Sequence, residues 1–399
     1  MTIAEISFWI LAGVILYTYL GYGMLVITLG RAAVFFRKAQ GLTPRADLPP
    51  VTLLIAAYNE EIWLKRKIEN SLNLDYPKDK LKIIIVTDGS NDRSAQIAGS
   101  DPRIIHLHEA PRRGKMAAIN RAMIFVDSEI VVFSDANALL NTDSVWKLAS
   151  FFQDAAVGCV SGEKRVHLGV RNEAASAGEG LYWRFESLIK QGEARLGSCI
   201  SAAGELFAIR TRLFVPLPED TLTDDFAISL NIALLGYRIQ YTSGAYALET
   251  ASADIDEEFK RKIRIAAGNL QILLRLPGLL NPFRHGWLTF QYLSHKFLRS
   301  FIAPLCFMAL VPLNLLLLGN GDPLYVVLFV LQVFFYLFGL VGYWLQKSRF
   351  VPKIFYIPLY IIVMNLSALI GSFRYLRGRQ SALWDKAARR IAPDTEESI

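Results

Sequence analysis

Acidic and amide side chains recur in the middle of the chain, and each group directly follows a run of apolar residues. The three groups are Tyr58-Asn59-Glu60-Glu61, Asp88-Gly89-Ser90 and Asp135-Ala136-Asn137. Carboxylate and amide oxygens accept hydrogen bonds from hydroxyl groups and ligate hard divalent cations. These residue types therefore favour hydroxyl-bearing molecules or a divalent cation as partners.

Each group also has an ordinary structural explanation when it is taken alone. Asp88-Gly89-Ser90 suits a turn with a helix N-cap, and Asp135 with Asn137 suits a loop closed by its own side chains. The basic group Arg112-Arg113-Gly114-Lys115 suits a solvated corner. The shared position of the acidic groups, each after an apolar run, favours one common site over separate turns.

The elements that would position these groups alternate between strand and helix patterns. Residues 51–57 and 81–87 are apolar and rich in β-branched residues, and residues 60–73 between them have helical character. The same alternation continues through residues 103–107, 116–126 and 130–133, which predicts βαβ units and a mostly parallel α/β sheet. Ligands of such sheets bind beyond the carboxyl ends of the strands, where the acidic groups fall.

Neither G-x-G-x-x-G nor G-x-x-x-x-G-K-[ST] follows a predicted strand. This disfavours a dinucleotide-dependent oxidoreductase and a P-loop nucleotidase. Cys159, Cys199 and Cys306 are far apart and form no C-x-x-C motif, so they indicate neither a disulfide framework nor a zinc site. A reducing, cytosolic environment is expected for the main domain.

The composition indicates a soluble domain joined to membrane segments. Apolar residues make up 53% of the chain and charged residues 20%, with a net charge of +7. An apolar run over residues 7–29 is long enough to span a bilayer, and it is followed by Arg31. The positive-inside rule then places the N-terminus outside and the main domain in the cytosol.

Three more apolar runs cover residues 301–318, 324–345 and 354–370. Four simple crossings would leave the basic tail outside, against the positive-inside rule, so one run is expected to be re-entrant or interfacial. Residues 287–299 predict an amphipathic interface helix with its basic side chains toward lipid phosphates, and His295 is assigned to that polar face. The expected domains are 1–45, first span and linker; 46–280, cytosolic catalytic domain; 281–300, interface helix; 301–373, spans; 374–399, basic tail.

Five segments, in this order, resemble the motifs of a membrane-bound family 2 glycosyltransferase with the GT-A fold. They are Ala57-Tyr58-Asn59-Glu60, Thr87-Asp88-Gly89-Ser90, Arg113-Gly114-Lys115, Asp135-Ala136-Asn137 and Thr223-Asp224-Asp225. The resemblance covers about residues 51–271. The chain is similar in this respect to poly-N-acetylglucosamine, cellulose, chitin and hyaluronan synthases. The resemblance implies an α/β GT-A domain inserted between transmembrane helices, one before it and about three after it.

The resemblance also implies a donor site for a UDP-sugar. The uridine would lie near Ala57, Tyr58, Glu60 and Asp88, and Lys115 would approach the phosphates. Asp135 and Asn137 match the D-x-D positions that hold Mg²⁺ or Mn²⁺ against the diphosphate. Because an amide replaces the second carboxylate, a weaker metal site is expected.

On the acceptor side, Asp225 matches the carboxylate that removes the proton from the attacking hydroxyl, and Asp224 is the second carboxylate. An acidic first turn stabilised by the helix dipole is the alternative explanation. Gly204 and Glu205 match a segment that lines the acceptor. Trp183, beside Tyr182, is a candidate sugar-stacking platform, although an ordinary packing role fits it as well.

The clearest departure from the family lies at residues 259–268. Processive synthases carry Q-x-x-R-W there; this chain has Arg261 for the Gln, keeps Arg264 as a diphosphate clamp, and has Ile265 for the Trp. A basic helix lying on lipid head groups is the alternative. Without the stacking Trp, short or distributively extended products are expected.

The resemblance thus implies an inverting transferase that extends a β-linked saccharide at a bacterial-type inner membrane. Single-sugar transfer to a polyprenyl-phosphate or other lipid carrier remains an alternative, as does a non-catalytic membrane partner that retains the fold. The expected partners are the donor, a saccharide or lipid-linked acceptor and membrane lipids, with a possible second copy or accessory subunit. Nucleic acid is not expected as a partner.

Overall fold

A mixed eight-stranded sheet forms the centre of the molecule, in the order β3-β2-β1-β4-β7-β6-β8-β5. The structure is a computed structural model that describes residues 2–36, 41–167, 174–250, 252, 254–346 and 351–383. The strands are β1 (Val51–Ala57), β2 (Leu81–Asp88), β3 (Ile104–Glu109), β4 (Ile130–Asp135), β5 (Leu139–Leu140), β6 (Val157–His167), β7 (Leu206–Arg210) and β8 (Arg238–Thr250).

The first four strands are parallel, as the sequence predicts, and each element of that prediction is confirmed within a few residues. Beyond β4 the sheet becomes mixed, because β7 pairs antiparallel to both β4 and β6. All residues of β1 are buried. Leu53 and Leu54 therefore face opposite apolar layers, one packed against Leu64 and the other against Met116.

The helices around the sheet begin and end as follows: α1 (Ile3–Ala33), α2 (Glu61–Leu72), α3 (Ser94–Ala98), α4 (Lys115–Met123), α5 (Ser144–Ser150), α6 (Ala174–Leu196), α7 (Asp224–Leu234), α8 (Ile255–Arg275), α9 (Pro282–His285), α10 (Trp287–Asn320), α11 (Pro323–Leu345) and α12 (Lys353–Leu376). Four of them, α1, α10, α11 and α12, are long and apolar enough to cross a membrane. This confirms one such helix before the sheet domain and three after it.

The ends of α1, α10 and α11 that lie far from the sheet meet each other. The rings of Phe8 and Tyr325 touch edge to face at 5.7 Å, and Asn320 donates a hydrogen bond to Glu5. Nearer the sheet, α1 packs on α6 so closely that a Cβ on Gly30 would lie 2.7 Å from the backbone of Gly192. The first apolar helix is thereby joined to the sheet domain.

Helix α12 lies along the sheet domain. Near its start, Tyr356 and Tyr360 pack against Ile255 at the beginning of α8. Near its end, a Cβ on Gly371 would lie 2.3 Å from the carbonyl oxygen of Ile263, so the α8 and α12 backbones touch. Both ends of this apolar helix therefore contact the same domain.

Candidate active site

One large cavity, of about 910 Å³, opens at the carboxyl ends of the parallel strands. Its lining brings together most of the residues expected to do chemistry: Glu60, Lys115, Asp135, Asn137, Trp183, Gly204, Glu205, Asp224, Asp225 and Arg264. Residues from the apolar helices line its other end: Tyr19, Tyr360, Ile361, Met364, Ser367 and Ala368. The cavity therefore extends from the sheet to the apolar helices.

Lys115 joins the two acidic sides of this cavity. It begins α4 directly after Gly114, which adopts a positive φ of 102°. The Lys115 ammonium lies 2.8 Å from Asp135 and 3.1 Å from Asp224. Burial disfavours its charge, but these two carboxylates raise the pKa of Lys115 above its usual range. A cation thus stands between the end of β4 and the start of α7.

Asp225 lies in the first turn of α7, where the helix dipole favours an acidic residue. Burial nevertheless raises the pKa of its carboxyl to about 7, and the charge of Asp224 contributes to the shift while Lys115 opposes it. A Cβ on Gly204 would lie 3.3 Å from this carboxyl. Glycine therefore leaves open the space beside a group that can take up a proton near neutral pH.

Helix α8 holds the loop that precedes Asp224. A Cβ on Gly268 would lie 2.6 Å from the Thr223 side chain, so only glycine permits this approach. Gln271 accepts a hydrogen bond from the Leu222 amide at 2.9 Å, and Arg264 reaches the Leu222 carbonyl at 3.4 Å. Arg264 and Ile265 both line the cavity. The helix thus brings the Arg264 guanidinium to the site. It also places the aliphatic Ile265 where the resemblance to processive synthases implies a tryptophan.

Glu205, beside Gly204, forms an ion pair with the buried Lys164 at 2.7 Å. This ammonium outweighs the effect of burial and lowers the pKa of Glu205 below its usual value. The ammonium of Lys164 in β6 also lies 5.0 Å from the ring centre of Trp183, and the ammonium of Lys262 in α8 lies 5.8 Å from the same ring centre. Trp183 is therefore half-buried in the wall of the cavity, between two cations.

Three of the residues expected at the donor base do not line the cavity. Ala57 is buried at the end of β1, and the ring of Tyr58 is covered by the Arg112 guanidinium at 3.8 Å. Asp88 accepts hydrogen bonds from the backbone amides of Arg113 and Gly114, the latter at 2.7 Å. Asp88 thus holds the loop that leads into Lys115, and a contact of these three residues with a base remains a prediction.

The chain beyond α12 contributes residues that the sequence patterns did not single out. Gln380, Ser381 and Leu383 line the cavity, and the Ala382 carbonyl lies 3.8 Å from a Cβ placed on Gly114. The sequence predicts only a basic tail over residues 374–399. The described part that follows α12, residues 377–383, lies at the mouth of the site.

The expectation that the basic side chains of residues 287–299 face lipid phosphates is wrong for all three of them. His295 is fully buried and lies 2.8 Å from Glu193. Lys296 and Arg299 lie 3.0 and 2.9 Å from Glu186. Lys296 and Arg299 thereby neutralise the buried Glu186 carboxylate, and His295 forms hydrogen bonds with Glu193 and Glu186.

The donor set suits a hard cation that is shared with a substrate. Asp135 ends β4, Asn137 follows it, and both line the cavity; the Asn137 amide forms no hydrogen bond with any described residue. Within the described residues no group of three or more His, Cys, Asp or Glu side chains could hold a metal ion. Mg²⁺ is commonly bound by one or two protein ligands together with phosphates and water. These residues fit that mode of binding.

The sequence model described as "Glycosyltransferase like family 2" matches residues 49–268. The chain belongs to this family. The match contains β1 to β8 and the site residues from Ala57 to Arg264, and it ends at Gly268, where α8 meets Thr223. The enzyme is therefore a family 2 glycosyltransferase with a GT-A-like sheet domain and four apolar helices.

Relatives with the same domain occur among bacterial enzymes. The chain is 28% identical over 241 residues to a poly-beta-1,6-N-acetyl-D-glucosamine synthase of Staphylococcus aureus, and the match covers 57% of each protein. It is 27% identical over 248 residues to the probable glycosyltransferase YdaM of Bacillus subtilis, again over 57% of each. The chain thus matches little more than half the length of these curated relatives.

A similar fold occurs in a solved structure, the mannosyltransferase PcManGT from Pyrobaculum calidifontis in complex with GDP-Man and Mn²⁺. The superposition has a TM-score of 0.69 and covers 94% of this chain and all of that one, at 20% sequence identity. The likeness extends through the sheet domain and most of the apolar helices.

Proposed function

We propose that this glycosyltransferase moves a sugar from a UDP-sugar to the hydroxyl of a growing β-linked saccharide, with inversion at the anomeric carbon. The observation that carries the proposal is the position of Asp225 in the same cavity as the Lys115–Asp135 pair. A carboxyl with a pKa near 7 is suited to take up a proton at physiological pH. The name of the Staphylococcus relative supports a β-linked polysaccharide product.

In the proposed reaction, Asp225 accepts the proton of the acceptor hydroxyl while the oxygen of that hydroxyl attacks the anomeric carbon. The bond between that carbon and the diphosphate oxygen breaks, and the electron pair leaves with UDP. Lys115 and Arg264 offset the negative charge that develops on the diphosphate. Because attack and departure occur on opposite faces of the sugar, an α-linked donor gives a β-linked product.

We propose that Asp135 and Asn137 hold Mg²⁺ or Mn²⁺ together with the donor diphosphate. When bound, the ion would neutralise charge on the leaving group. The complex of the mannosyltransferase with GDP-Man and Mn²⁺ supports a nucleotide-sugar and a divalent ion in this fold. With one carboxylate and one amide from the protein, the ion would depend on the donor for further oxygen ligands.

Release of nucleoside diphosphate from a panel of UDP- and GDP-sugars tests the donor class. The purified full chain is expected to release UDP in the presence of a saccharide acceptor, and Asp225→Asn is expected to lose transfer while it still binds UDP. Asp127→Asn is the matched control, because Asp127 is an exposed partner of Lys82 far from the cavity. Release of GDP alone would contradict the UDP assignment, and release of neither would contradict the enzyme proposal.

A lipid-linked acceptor is the second candidate, and the shape of the cavity favours it. The cavity is lined by the catalytic carboxylates at one end and by Tyr19, Ile361 and Met364 of the apolar helices at the other. An acceptor head group could reach Asp225 from the bilayer by this route. Transfer to an acceptor in detergent micelles that partitions into the organic phase would support this candidate over a free saccharide.

We propose three membrane crossings, by α1, α10 and α11, with the sheet domain in the cytosol. Helix α12 contacts the sheet domain near both ends, through Tyr356 and Gly371, and Ala382 beyond it lies beside Gly114. An interfacial α12 keeps Arg374 and the following basic residues on the cytosolic side, in agreement with the positive-inside rule. The proposed location is a bacterial-type inner membrane.

A further inference from the structure

A buried lysine lies beneath the Asp135–Asn137 triplet, and the proposed chemistry does not use it. Lys67 of α2 is fully shielded from solvent. Its ammonium donates hydrogen bonds to the Ser134 hydroxyl at 2.7 Å and to the Ala138 carbonyl at 2.5 Å. These two acceptors flank the triplet on both sides, so one side chain holds both of its ends.

A second residue of α2 extends this hold. Asn70 follows Lys67 by three positions and therefore lies on the same face of the helix. Its amide nitrogen donates to the Leu140 carbonyl at 2.8 Å, and its oxygen accepts from the Leu140 amide at 2.8 Å. Four hydrogen bonds thus connect two turns of α2 to residues 134–140.

The same lysine also reaches the acceptor side of the cavity through one intermediate. The Ser134 hydroxyl accepts from Lys67 and donates to the Glu205 carbonyl at 3.0 Å. Glu205 follows Gly204, which lies beside the Asp225 carboxyl. A continuous chain of hydrogen bonds therefore runs from Lys67 to the segments on both sides of the proposed reaction.

Burying an amine in this position is expensive for the fold. Among the described residues no carboxylate lies within ion-pair distance of the Lys67 ammonium, and burial lowers the pKa of Lys67 to about 7. A methionine has a similar length and would not require desolvation of a charge. The amine does what methionine cannot, because it donates to two neutral acceptors at once.

We infer that Lys67 is a positioning residue, which sets the spacing between the Asp135–Asn137 triplet and the Glu205 main chain. The inference rests on the proposed function, since that function assigns the triplet to the donor side of the cavity and Glu205 to the acceptor side. Lys67 does not line the cavity, and it acts through Ser134 and Ala138. Its loss should loosen the triplet and weaken the metal site without removing a ligand.

Lys67→Met tests this inference, with Lys65→Met as the matched control, because Lys65 is exposed on the same helix. Two readouts require no turnover: hydrogen exchange of residues 134–140, and Mn²⁺ binding in the presence of UDP followed by electron paramagnetic resonance. Lys67→Met is expected to speed exchange in this segment and to weaken Mn²⁺ binding by about 10- to 100-fold, the range for residues that orient metal ligands. Lys65→Met should change neither.

Ser134→Ala separates the effect of the Lys67–Ala138 hydrogen bond from that of the connection through Ser134 to the Glu205 carbonyl. It should raise the KM for the acceptor and weaken Mn²⁺ binding less than Lys67→Met does, because the Lys67–Ala138 bond remains. If Lys67→Met fails to fold, Lys67→Gln, which keeps a neutral donor at this position but shortens the side chain, should show the faster exchange and the weaker Mn²⁺ binding in smaller measure.

Unchanged exchange and Mn²⁺ binding in the folded variant would overturn the inference. Failure of the wild-type chain to transfer any sugar would instead contradict the proposed function. The hydrogen-exchange measurement would still report whether Lys67 holds residues 134–140 in place. The two failures are therefore distinguishable.

Discussion

The pKa of Asp225 predicts a specific dependence of transfer on pH. The carboxyl must be ionised to accept the hydroxyl proton, so activity should be lost as the pH falls through the pKa of Asp225, which burial raises to about 7. An ordinary carboxyl would remain ionised down to about pH 4. The two cases differ most strongly between pH 6 and pH 8.

The magnitude follows from the fraction of ionised carboxyl. With a pKa near 7, about one-tenth of Asp225 is ionised at pH 6 and about nine-tenths at pH 8. The value of kcat/KM for the donor, which reports on the free enzyme, should therefore rise about 10-fold over this interval. A base with an unshifted pKa would give a change of less than about 10%.

The assay is UDP release under subsaturating donor, measured across this interval at constant ionic strength. Asp224→Asn should move the rise to lower pH, because the negative charge of Asp224 contributes to the raised pKa of Asp225. Asp127→Asn, which removes an exposed carboxylate, should leave the profile unchanged. A flat profile in the wild-type enzyme, or a rise that Asp224→Asn does not shift, would refute the role of a buried Asp225 base.

Three further predictions concern the metal, the product and the topology. A chelator should abolish transfer, and Mn²⁺ or Mg²⁺ should restore it. Asn137→Asp should lower the metal concentration required, because a charge replaces a dipole. Full activity in chelator would exclude this site for a metal. When acceptor is scarce, the products should lengthen together as a ladder, because Ile265 offers no aromatic face to retain the saccharide. Ile265→Trp should give longer products. Very long chains beside untouched acceptor in the wild type would contradict this prediction of distributive extension. A cysteine introduced at Ser381 should be labelled by an impermeant maleimide only in inside-out vesicles, as for a cysteine at the exposed Asp127; labelling from the outer face would mean that α12 crosses the membrane.

The sheet core and the position of Asp135 at its edge could be predicted from the sequence because their signals are local, whereas the roles proposed for Asp224 and Asp225 come from the family resemblance. Strands β1 to β4 alternate with helices in contiguous apolar runs, and the acidic residues follow directly at the strand ends. The parallel order then brings Asp135 to the sheet edge where Lys115 begins α4. Neighbouring positions in the chain suffice for such inferences.

Other features depend on contacts between distant segments, which periodicity does not encode. The approach of Ala382 to Gly114 joins residues 268 positions apart. The basic residues of α10 follow the pattern of a lipid-facing helix, yet Glu186 of α6 draws Lys296 and Arg299 inward. Lys67 resembles any lysine on an amphipathic helix until the fold places Ser134 and Ala138 around it.

The anomeric configuration of the first product tests the central proposal most directly. Proton NMR of the disaccharide linkage formed from an α-linked UDP-sugar would measure it within a single turnover, before any extension. Single displacement by a hydroxyl activated at Asp225 predicts a β-linkage from the wild-type enzyme and no linkage from Asp225→Asn. An α-linked product would contradict the proposed mechanism.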